Sequence, residues 1–272
     1  MELSPAAMRA FEGLLKSRTG QQLPASRHWR IETALKPVMR DHALPSLDSL
    51  AASLSNAFDT QLADAVVEAL LNHETFFFRE QAAFHQLMAG GIETLAAARA
   101  AMRRLRIWCA GCSTGQEAYS LAMSFAEAGD RWRDWTIDIV GTDVSAGVIA
   151  RASEGRYTQF EIQRGLPVRQ MMQWFTPEGD DWRARPELRR MVRFERHNLL
   201  DPMPCAGTVD LILCRNVLIY FGVEQRTCMF DQLARAIAPD GLLMLGAGET
   251  VLGNTTRFSP DPDHRGFYRR QG

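Results

Sequence analysis

One stretch constrains the fold of this chain more than any other: an apolar run that ends in a glycine-rich turn and continues as a helical pattern. The run RIWCA covers residues 106–110, the turn GCSTG covers 111–115, and the helical pattern begins at Glu117. Further short apolar runs, TIDIVGTD, VRFERHNLL, DLILCRNVLIY and GLLMLGAGE, alternate with helical segments. This alternation predicts βαβ units, and therefore an α/β fold with a parallel sheet covered by helices.

The first part of the chain, residues 1–71, has helical patterns only. Ser4 and Pro5 form a typical helix start, and apolar residues recur at helical spacing after them. Further helices are predicted over residues 26–40 and 47–54 and around 62–70. We therefore expect a small all-helical domain at 1–71, followed by an α/β domain at 72–272.

Composition limits the classes of partner. The chain has 272 residues, of which 46% are hydrophobic, so it can bury a sizeable core. Its 31 basic and 32 acidic residues leave a net charge of −1, which gives no general electrostatic case for nucleic acid or for insertion into an acidic membrane. The N-terminus lacks a signal-peptide pattern, and no apolar run approaches the roughly 18 to 20 residues of a membrane span. We expect a cytoplasmic protein that acts as a monomer.

The cysteines raise the question of a metal or redox site. Five cysteines without an export signal argue against a disulfide framework, yet Cys109 and Cys112 have the C-x-x-C spacing of half a zinc site or of a thioredoxin-like turn. Cys205, Cys214 and Cys228 supply no second close pair, and the histidines have no ligand spacing. The sequence therefore predicts no metal site.

The glycine turn is better explained as a ligand loop. In a parallel α/β sheet, ligands bind beyond the carboxyl ends of the strands, and Gly111 and Gly115 would let the backbone approach a ligand closely. The next apolar run ends in Asp143, from which a carboxylate can accept hydrogen bonds from ribose hydroxyls. A plain tight turn and an ordinary N-cap aspartate are the alternatives.

Two cofactors with a ribose compete for such a loop. A nicotinamide dinucleotide needs G-x-G-x-x-G and bare helix N–H groups for its pyrophosphate. Here Gln116 and Glu117 follow the turn directly, and a carboxylate would repel phosphates while it suits an amine and a sulfonium. The loop therefore favours S-adenosyl-L-methionine.

A family resemblance runs along most of the chain. It is carried by NHETFFFRE (72–80), AGCSTGQEAYSLA (110–122), GTDVSAGVIARASEGRY (141–157), HNLL (197–200), CRNVLIYF (214–221) and LARAIAPDGLLMLGAGE (233–249). With these motifs the chain resembles the bacterial chemotaxis receptor glutamate methyltransferases. The resemblance implies a receptor-facing helical N-terminal domain and a Rossmann-like methyltransferase domain with a small antiparallel insert at about 177–196. It also implies methyl transfer from S-adenosyl-L-methionine to glutamates on the cytoplasmic helical domains of chemoreceptors (methyl-accepting chemotaxis proteins), with S-adenosyl-L-homocysteine as the product.

The site residues follow from the glycine turn and the resemblance together. The resemblance puts Arg215, Tyr220 and Arg79 beside the reacting centre. His73 departs from the family, which usually has Asn there. The predicted cofactor contacts are His73, Thr75, Arg79, Gly111, Glu117, Asp143, Asn198, Leu199, Asn216 and Val217.

The chemistry needs few groups, and each candidate has a structural alternative. A glutamate carboxylate, with a pKa of about 4.3, is already ionised at neutral pH and needs no general base. Arg79 and Arg215 could hold a carboxylate, although an arginine beside Phe76 could equally pack its stem on the aromatic ring. Asn216 could simply end a strand, and Tyr220 could be a core aromatic.

Two other functions and one docking surface complete the sequence-based predictions. The other functions are a cofactor-binding docking module that has lost turnover, and a methyltransferase of another substrate on the same fold.

The docking surface is the arginine cluster, residues 183–196, which has six arginines against two glutamates and is predicted to form an exposed basic strand of the insert. Acidic receptor helices are its expected partner, and nucleic acid is disfavoured by the overall charge.

Overall fold

The computed structural model describes residues 3–54, 60–202 and 207–272, so Cys205 lies outside the described residues. The chain divides into two compact units. The first comprises Met1–Asn72 with Tyr220–Gln225, and the second comprises His73–Ile219 with Arg226–Gly272. The domain bounds expected from the sequence, 1–71 and 72–272, stay a prediction.

The first unit is helical. Ser4 caps its first helix, since the Ser4 hydroxyl accepts a 3.2 Å hydrogen bond from the Ala7 amide, and Gly20 ends that helix in the left-handed conformation at φ 74°. The stretch predicted as one helix at 26–40 begins instead as a 3₁₀ helix, a common form at helix starts. The described helices are α1 (Pro5–Thr19), the 3₁₀ helix (Ala25–Arg30), α2 (Ile31–Asp41), α3 (Leu47–Leu54) and α4 (Thr60–Leu70).

The core of the first unit explains why these helices form together. Phe11, Leu35, Leu50 and Val66, one from each of α1 to α4, are completely buried in one cluster. Each helix is too short to be stable alone in water, so burial of its apolar face supplies most of its stability.

The second unit is built on two sheets. The larger has the strand order β6-β2-β1-β7-β8-β10-β9, in which β6, β2, β1, β7 and β8 run parallel, and β10 pairs antiparallel with both β8 and β9. The smaller has the order β3-β5-β4. The strands are β1 (Arg104–Ala110), β2 (Thr136–Asp143), β3 (Arg156–Thr158), β4 (Phe175–Glu178), β5 (Asp181–Ala184), β6 (Val192–Arg196), β7 (Val209–Cys214), β8 (Ile237–Leu245), β9 (Phe258–Pro260) and β10 (Phe267–Arg270).

Helices cover the larger sheet, and the α/β fold class predicted from the sequence is confirmed. Ile107, Ile139, Leu211 and Leu242 of the central strands are at most 1% exposed. Within the described residues, no helix combines the length and the apolar composition that a membrane span requires. The helices are α5 (Gln81–Gln86), a π-helical turn (Leu87–Gly91), α6 (Ile92–Ala98), α7 (Gln116–Glu127), α8 (Ala146–Glu154), α9 (Gln159–Gln163), α10 (Val168–Trp174), α11 (Pro186–Arg189) and α12 (Val223–Ala236), with 3₁₀ turns at Gly129–Trp132 and Leu218–Tyr220.

The small antiparallel sheet exists, but the bounds predicted for it, 177–196, are wrong. Its strands lie at 156–158, 175–178 and 181–184, whereas β6 pairs in parallel with β2 in the larger sheet. Phe194 shows the reason: a Cβ on Gly141 would lie 2.7 Å from its ring and one on Gly115 would lie 2.8 Å from it. The glycines make room for this side chain, so the 192–196 segment completes the larger sheet, and the arginine cluster is divided between two sheets.

Candidate active site

The loops that follow β1, β2, β7 and β8 lie at one edge of the sheet, because the carboxyl ends of parallel strands meet there. Two residues in these loops, Ser113 and Asn216, have φ values of 50° and 59°. Phe78, whose amide donates to the Ser120 hydroxyl of α7, has φ 51°, and Glu80, which accepts from the Asn216 side chain, has φ 59°. Non-glycine residues in the left-handed region cost free energy, and such strain concentrates at functional sites.

The glycine turn is held on β2 and approaches the loop after β7. The amides of Gly111 and Cys112 both donate to the carbonyl of Thr142, at 2.8 and 2.9 Å. Gly111 has φ +76°, and a Cβ there would lie 2.5 Å from Cγ2 of Val217. The close approach therefore requires glycine, and it brings together two of the predicted cofactor contacts, Gly111 and Val217.

Asp143 ends β2 with its carboxylate held by two backbone amides. Oδ2 accepts from Ser113 at 2.9 Å and Oδ1 accepts from Ser145 at 3.1 Å. The cap of α8 is Ser145, whose hydroxyl accepts from Val148 at 3.1 Å, so Asp143 is not the N-cap that the alternative interpretation required. The carboxylate is thus oriented at the ligand-binding edge of the sheet.

Arg215 is the most buried charge of the site, with a side chain only 1% exposed. One terminal nitrogen, Nη1, donates to Glu117 at 2.7 Å. The other, Nη2, donates to Glu80 at 3.1 Å and to the carbonyl of Arg79 at 2.7 Å. The guanidinium therefore joins the segment at 79–80, the first turn of α7 and the end of β7.

Burial and the ion pairs act in opposite directions on the pKa values of this cluster. Burial raises the pKa of Glu117 above its ordinary value, although Arg215 acts to lower it. Burial also acts to raise the pKa of Glu80, but there Arg215 and the hydrogen bonds from Asn216 and Ala247 prevail, and the pKa is lowered. Burial would lower the pKa of Arg215, but the carboxylates of Glu117 and Glu80 raise it, so Arg215 stays charged.

Two acidic residues of this edge, Glu80 and Glu249, were not among the predicted site residues. Glu249 accepts hydrogen bonds from four backbone amides, and Glu80 accepts from the Asn216 side chain at 3.3 Å and the Ala247 amide at 3.1 Å. A signal for Glu249 was present in the sequence: like Asp143, it follows a buried apolar strand at the carboxyl edge.

Of the predicted contacts in the segment at 73–79, His73 touches the glycine turn. The carbonyl of His73 accepts a 2.8 Å hydrogen bond from the Ser113 hydroxyl, and Thr75 is half-buried. Arg79 donates to the carbonyl of Glu74 at 3.1 Å, and its Cζ atom lies 5.6 Å from the ring centroid of Phe76. The packing of Arg79 on an aromatic ring, which is the structural alternative to holding a carboxylate, is therefore present.

The remaining predicted residues lie on two other segments. Asn198, just after β6, accepts the Leu200 amide on its side-chain oxygen at 3.1 Å, and Leu199 is buried. Tyr220 belongs to the first unit, where its hydroxyl accepts hydrogen bonds from Asn72 at 2.6 Å and from Arg27 at 3.1 Å. The described contacts of Tyr220 with Asn72 and Arg27 lie within the first unit.

Cys109 and Cys112 are both buried. Burial raises the pKa of both thiols well above the ordinary value. In the described parts of the chain, no three His, Cys, Asp or Glu residues come together as a metal site would require.

The donor set fits S-adenosylmethionine. The edge carries the carboxylates of Glu80, Glu117, Asp143 and Glu249, and an acidic surrounding suits an amine and a sulfonium better than a pyrophosphate. Asp143 stands where a ribose carboxylate partner is expected. Fold and site together define an S-adenosylmethionine-dependent methyltransferase.

Comparison with known proteins narrows this class. A sequence model described as "CheR methyltransferase, SAM binding domain" matches residues 73–266. The chain is 32% identical to the chemotaxis protein methyltransferase of Vibrio parahaemolyticus, over 94% of this chain and 93% of that protein. It is 31% identical to chemotaxis protein methyltransferase 1 of Pseudomonas aeruginosa, over 92% of each. The chain belongs to the CheR methyltransferase family.

Proposed function

We propose that the protein transfers a methyl group from S-adenosyl-L-methionine to glutamate side chains of chemoreceptors and forms glutamate methyl esters. The observation that carries the proposal is the similarity, over nearly the full length of both chains, to proteins named chemotaxis protein methyltransferases. A docking module without turnover is not favoured, because these relatives are named as methyltransferases.

The reaction requires the protein to align the reacting groups and does not require it to transfer a proton. The cofactor supplies an electrophilic methyl group on a sulfonium. A glutamate carboxylate, with a pKa of about 4.3, is an ionised nucleophile at neutral pH. The task of the chain is to hold the reacting groups in line and to exclude water.

The roles of the site residues follow from their contacts. Asp143, oriented by two amides, binds the ribose hydroxyls. Glu117 faces the amine of the cofactor and is held by Arg215. The other proposed contacts to the cofactor are His73, Thr75, Gly111, Asn198, Leu199, Asn216 and Val217.

The three residues predicted beside the reacting centre differ in their surroundings. Arg215 is enclosed by Glu117 and Glu80, which supports a positioning role toward Glu117 rather than contact with the acceptor. Arg79 is partly exposed and is the better candidate for holding a carboxylate. Tyr220 has a hydroxyl ordered by Asn72 and Arg27, and we retain it as a catalytic candidate.

Each unit, taken by itself, has one candidate docking surface for the receptor. In the arginine cluster, Arg183 pairs with Glu178 and Arg193 pairs with Asp138, so these charges are partly neutralised. Arg190 remains highly exposed and lies 3.9 Å from Glu187, too far for a strong pair. In the first unit, Trp29 is 75% exposed next to the exposed Arg30, a combination typical of protein-binding surfaces. We propose that the protein is a cytoplasmic monomer. Its proposed partners are the cytoplasmic helical domains of receptors, and not nucleic acid.

The test is incubation with labelled S-adenosylmethionine and purified receptor signalling domains. Label in base-labile carboxyl esters on glutamate is the expected result. Label that goes only to small molecules or RNA would contradict the proposed acceptor while leaving the methyltransferase class intact.

A second experiment addresses docking. Arg185→Gln with Arg190→Gln should slow methylation of intact receptor at low salt and leave cofactor affinity unchanged, because rim charges act mainly on association. Arg189 is left in place, because its Nε is buried and its stem packs beside Gly155. An unchanged rate would remove the arginine cluster from the docking surface.

A further inference from the structure

A single carboxylate, that of Glu249, joins the loops that follow β7 and β8. Its Oε1 accepts the amides of Val217 at 2.8 Å and Leu218 at 2.7 Å. Its Oε2 accepts the amides of Asn216 at 2.7 Å and Gly246 at 2.9 Å. Several backbone N–H groups that converge in this way form an anion-binding nest, and here a side chain of the protein supplies the anion.

The backbone inside this nest is strained, and its two loops lie very close to each other. Asn216 has φ 59°, a left-handed conformation that a residue with a Cβ adopts at a cost. A Cβ on Gly246 would lie 2.7 Å from Nδ2 of Asn216 and 2.8 Å from its amide nitrogen. Such a loop keeps its shape only if its polar groups are satisfied in that shape, and the carboxylate of Glu249 satisfies four of them.

The residues shaped by the nest are those that the cofactor is expected to meet. Asn216 and Val217 are both among the predicted cofactor contacts, and Val217 lies against Gly111 of the glycine turn. Glu80 ties the same loops from the other side, through the Asn216 side chain and the Ala247 amide. The position of Glu249 thus controls one wall of the predicted cofactor site.

We propose that Glu249 is a positioning residue for S-adenosylmethionine. Its carboxylate holds residues 216–218 in the strained conformation that binds the cofactor, and does so before the cofactor arrives. The inference rests on cofactor binding by this family and on the predicted roles of Asn216 and Val217; it does not depend on which protein accepts the methyl group.

The test uses Glu249→Gln and Glu249→Asp in the full chain, with Glu154→Gln as the control because Glu154 is exposed on α8. The readouts are the Kd of S-adenosyl-L-homocysteine by calorimetry and the hydrogen-exchange rates of the amides at 216–218 and 246. Amides of the central strand β1 serve as the internal reference. No methyl acceptor is needed, so failure of the proposed function would not affect the result.

In Glu249→Gln, an NH₂ group replaces one acceptor oxygen and faces two of the four amides. We expect affinity about 10- to 100-fold weaker and amide exchange at 216–218 and 246 faster by about 10-fold or more, while β1 is unchanged. Glu249→Asp keeps the charge on a shorter side chain. Its affinity and its amide exchange rates should lie between those of Glu249→Gln and those of the wild type. Glu154→Gln should stay within about twofold of the wild type.

Two results would overturn the proposal. One is an affinity of Glu249→Gln within about twofold of the wild type. The other is exchange that accelerates equally in β1, which would mean that Glu249 supports global stability only. If Glu249→Gln does not fold, Glu249→Asp is judged by the same two criteria.

Discussion

Two arginine–carboxylate clusters occupy opposite edges of the same parallel sheet. At the carboxyl edge, Arg215 lies between Glu117 and Glu80. Near the amino ends of the strands, Arg99 donates to Asp210 at 2.7 Å and to both oxygens of Asp240 at 2.7 and 2.6 Å. The chemistry of the pairs is the same, so the difference between them comes from where they lie.

The surroundings differ most in burial. Positive φ occurs beside both arginines: at Glu80 and Asn216 beside Arg215, and at Arg103, whose amide donates to the Arg99 carbonyl at 2.8 Å. The side chain of Arg215 is 1% exposed, whereas Arg99 is 11% exposed and its partner Asp240 is 52% exposed. A buried ion pair therefore does not by itself mark a functional site. Its place at the carboxyl edge, beside the predicted cofactor contacts, is what distinguishes the Arg215 cluster.

The largest effect is expected from Arg215→Ala. The variant leaves Glu117 and Glu80 as buried carboxylates without their common partner, which should cost about 3 to 5 kcal/mol of stability and abolish tight cofactor binding. Urea unfolding and calorimetric titration measure the two effects. Arg215→Lys keeps the charge and loses the planar guanidinium. Its stability and its cofactor affinity should lie between those of Arg215→Ala and those of the wild type. Cofactor affinity equal to wild type in a folded Arg215→Ala protein would remove Arg215 from the site.

Arg99→Ala provides the matched change at the amino edge. Asp210 loses its ion pair but keeps the hydrogen bond from the Arg106 amide at 2.8 Å, so we expect a smaller loss of about 2 to 3 kcal/mol. Cofactor affinity of the folded variant should equal that of the wild type. A clear loss of affinity would show that the two edges are coupled and would break the comparison.

Asp143→Ala should act on binding rather than on the fold. Loss of charge-assisted hydrogen bonds to the ribose should weaken S-adenosylmethionine binding by about 1.5 to 3 kcal/mol. Asp143→Asn is the control, since its amide oxygen can still accept from one of the two amides that Asp143 now binds. The ribose assignment is wrong if calorimetry finds the affinity of Asp143→Ala unchanged.

The smallest effect concerns pH and Glu117. Because burial raises its pKa in the folded protein, the folded state holds a proton over a pH range in which the unfolded chain has lost it. That contribution to stability is present below the unfolded pKa and is lost as pH rises through the folded pKa. Glu117→Gln should therefore flatten this part of the stability–pH curve, measured by urea unfolding at several pH values. An unchanged slope would mean that Glu117 does not titrate in this way.

Local patterns in the sequence predicted much of the second unit. The strand at 106–110, the turn at 111–115 and the helix after it are present as β1, the glycine loop and α7. Asp143 ends β2, as the apolar run indicated. These features depend on neighbouring residues and on the alternation of strands with helices, which a single sequence displays.

Other features could not be predicted, because they depend on contacts distant in the chain. The parallel pairing of β6 with β2 follows from Phe194 filling the space over Gly141 and Gly115. The nest around Glu249 joins residues about 30 positions apart, and periodicity cannot indicate such a pairing.

By itself, the sequence determined the α/β class, the glycine turn, Asp143 at the end of the next strand and, through its motifs, the methyltransferase family. These depend on hydrophobic periodicity, on the backbone freedom of glycine and on the order of short motifs, all of which are local. Only the tertiary structure decided which charges meet: that Arg215 is enclosed by Glu117 and Glu80, that Arg99 serves the opposite edge, and that Glu249 holds four amides. The physical reason is that an ion pair or a nest gains its energy from burial and geometry, and both exist only once the strands have come together.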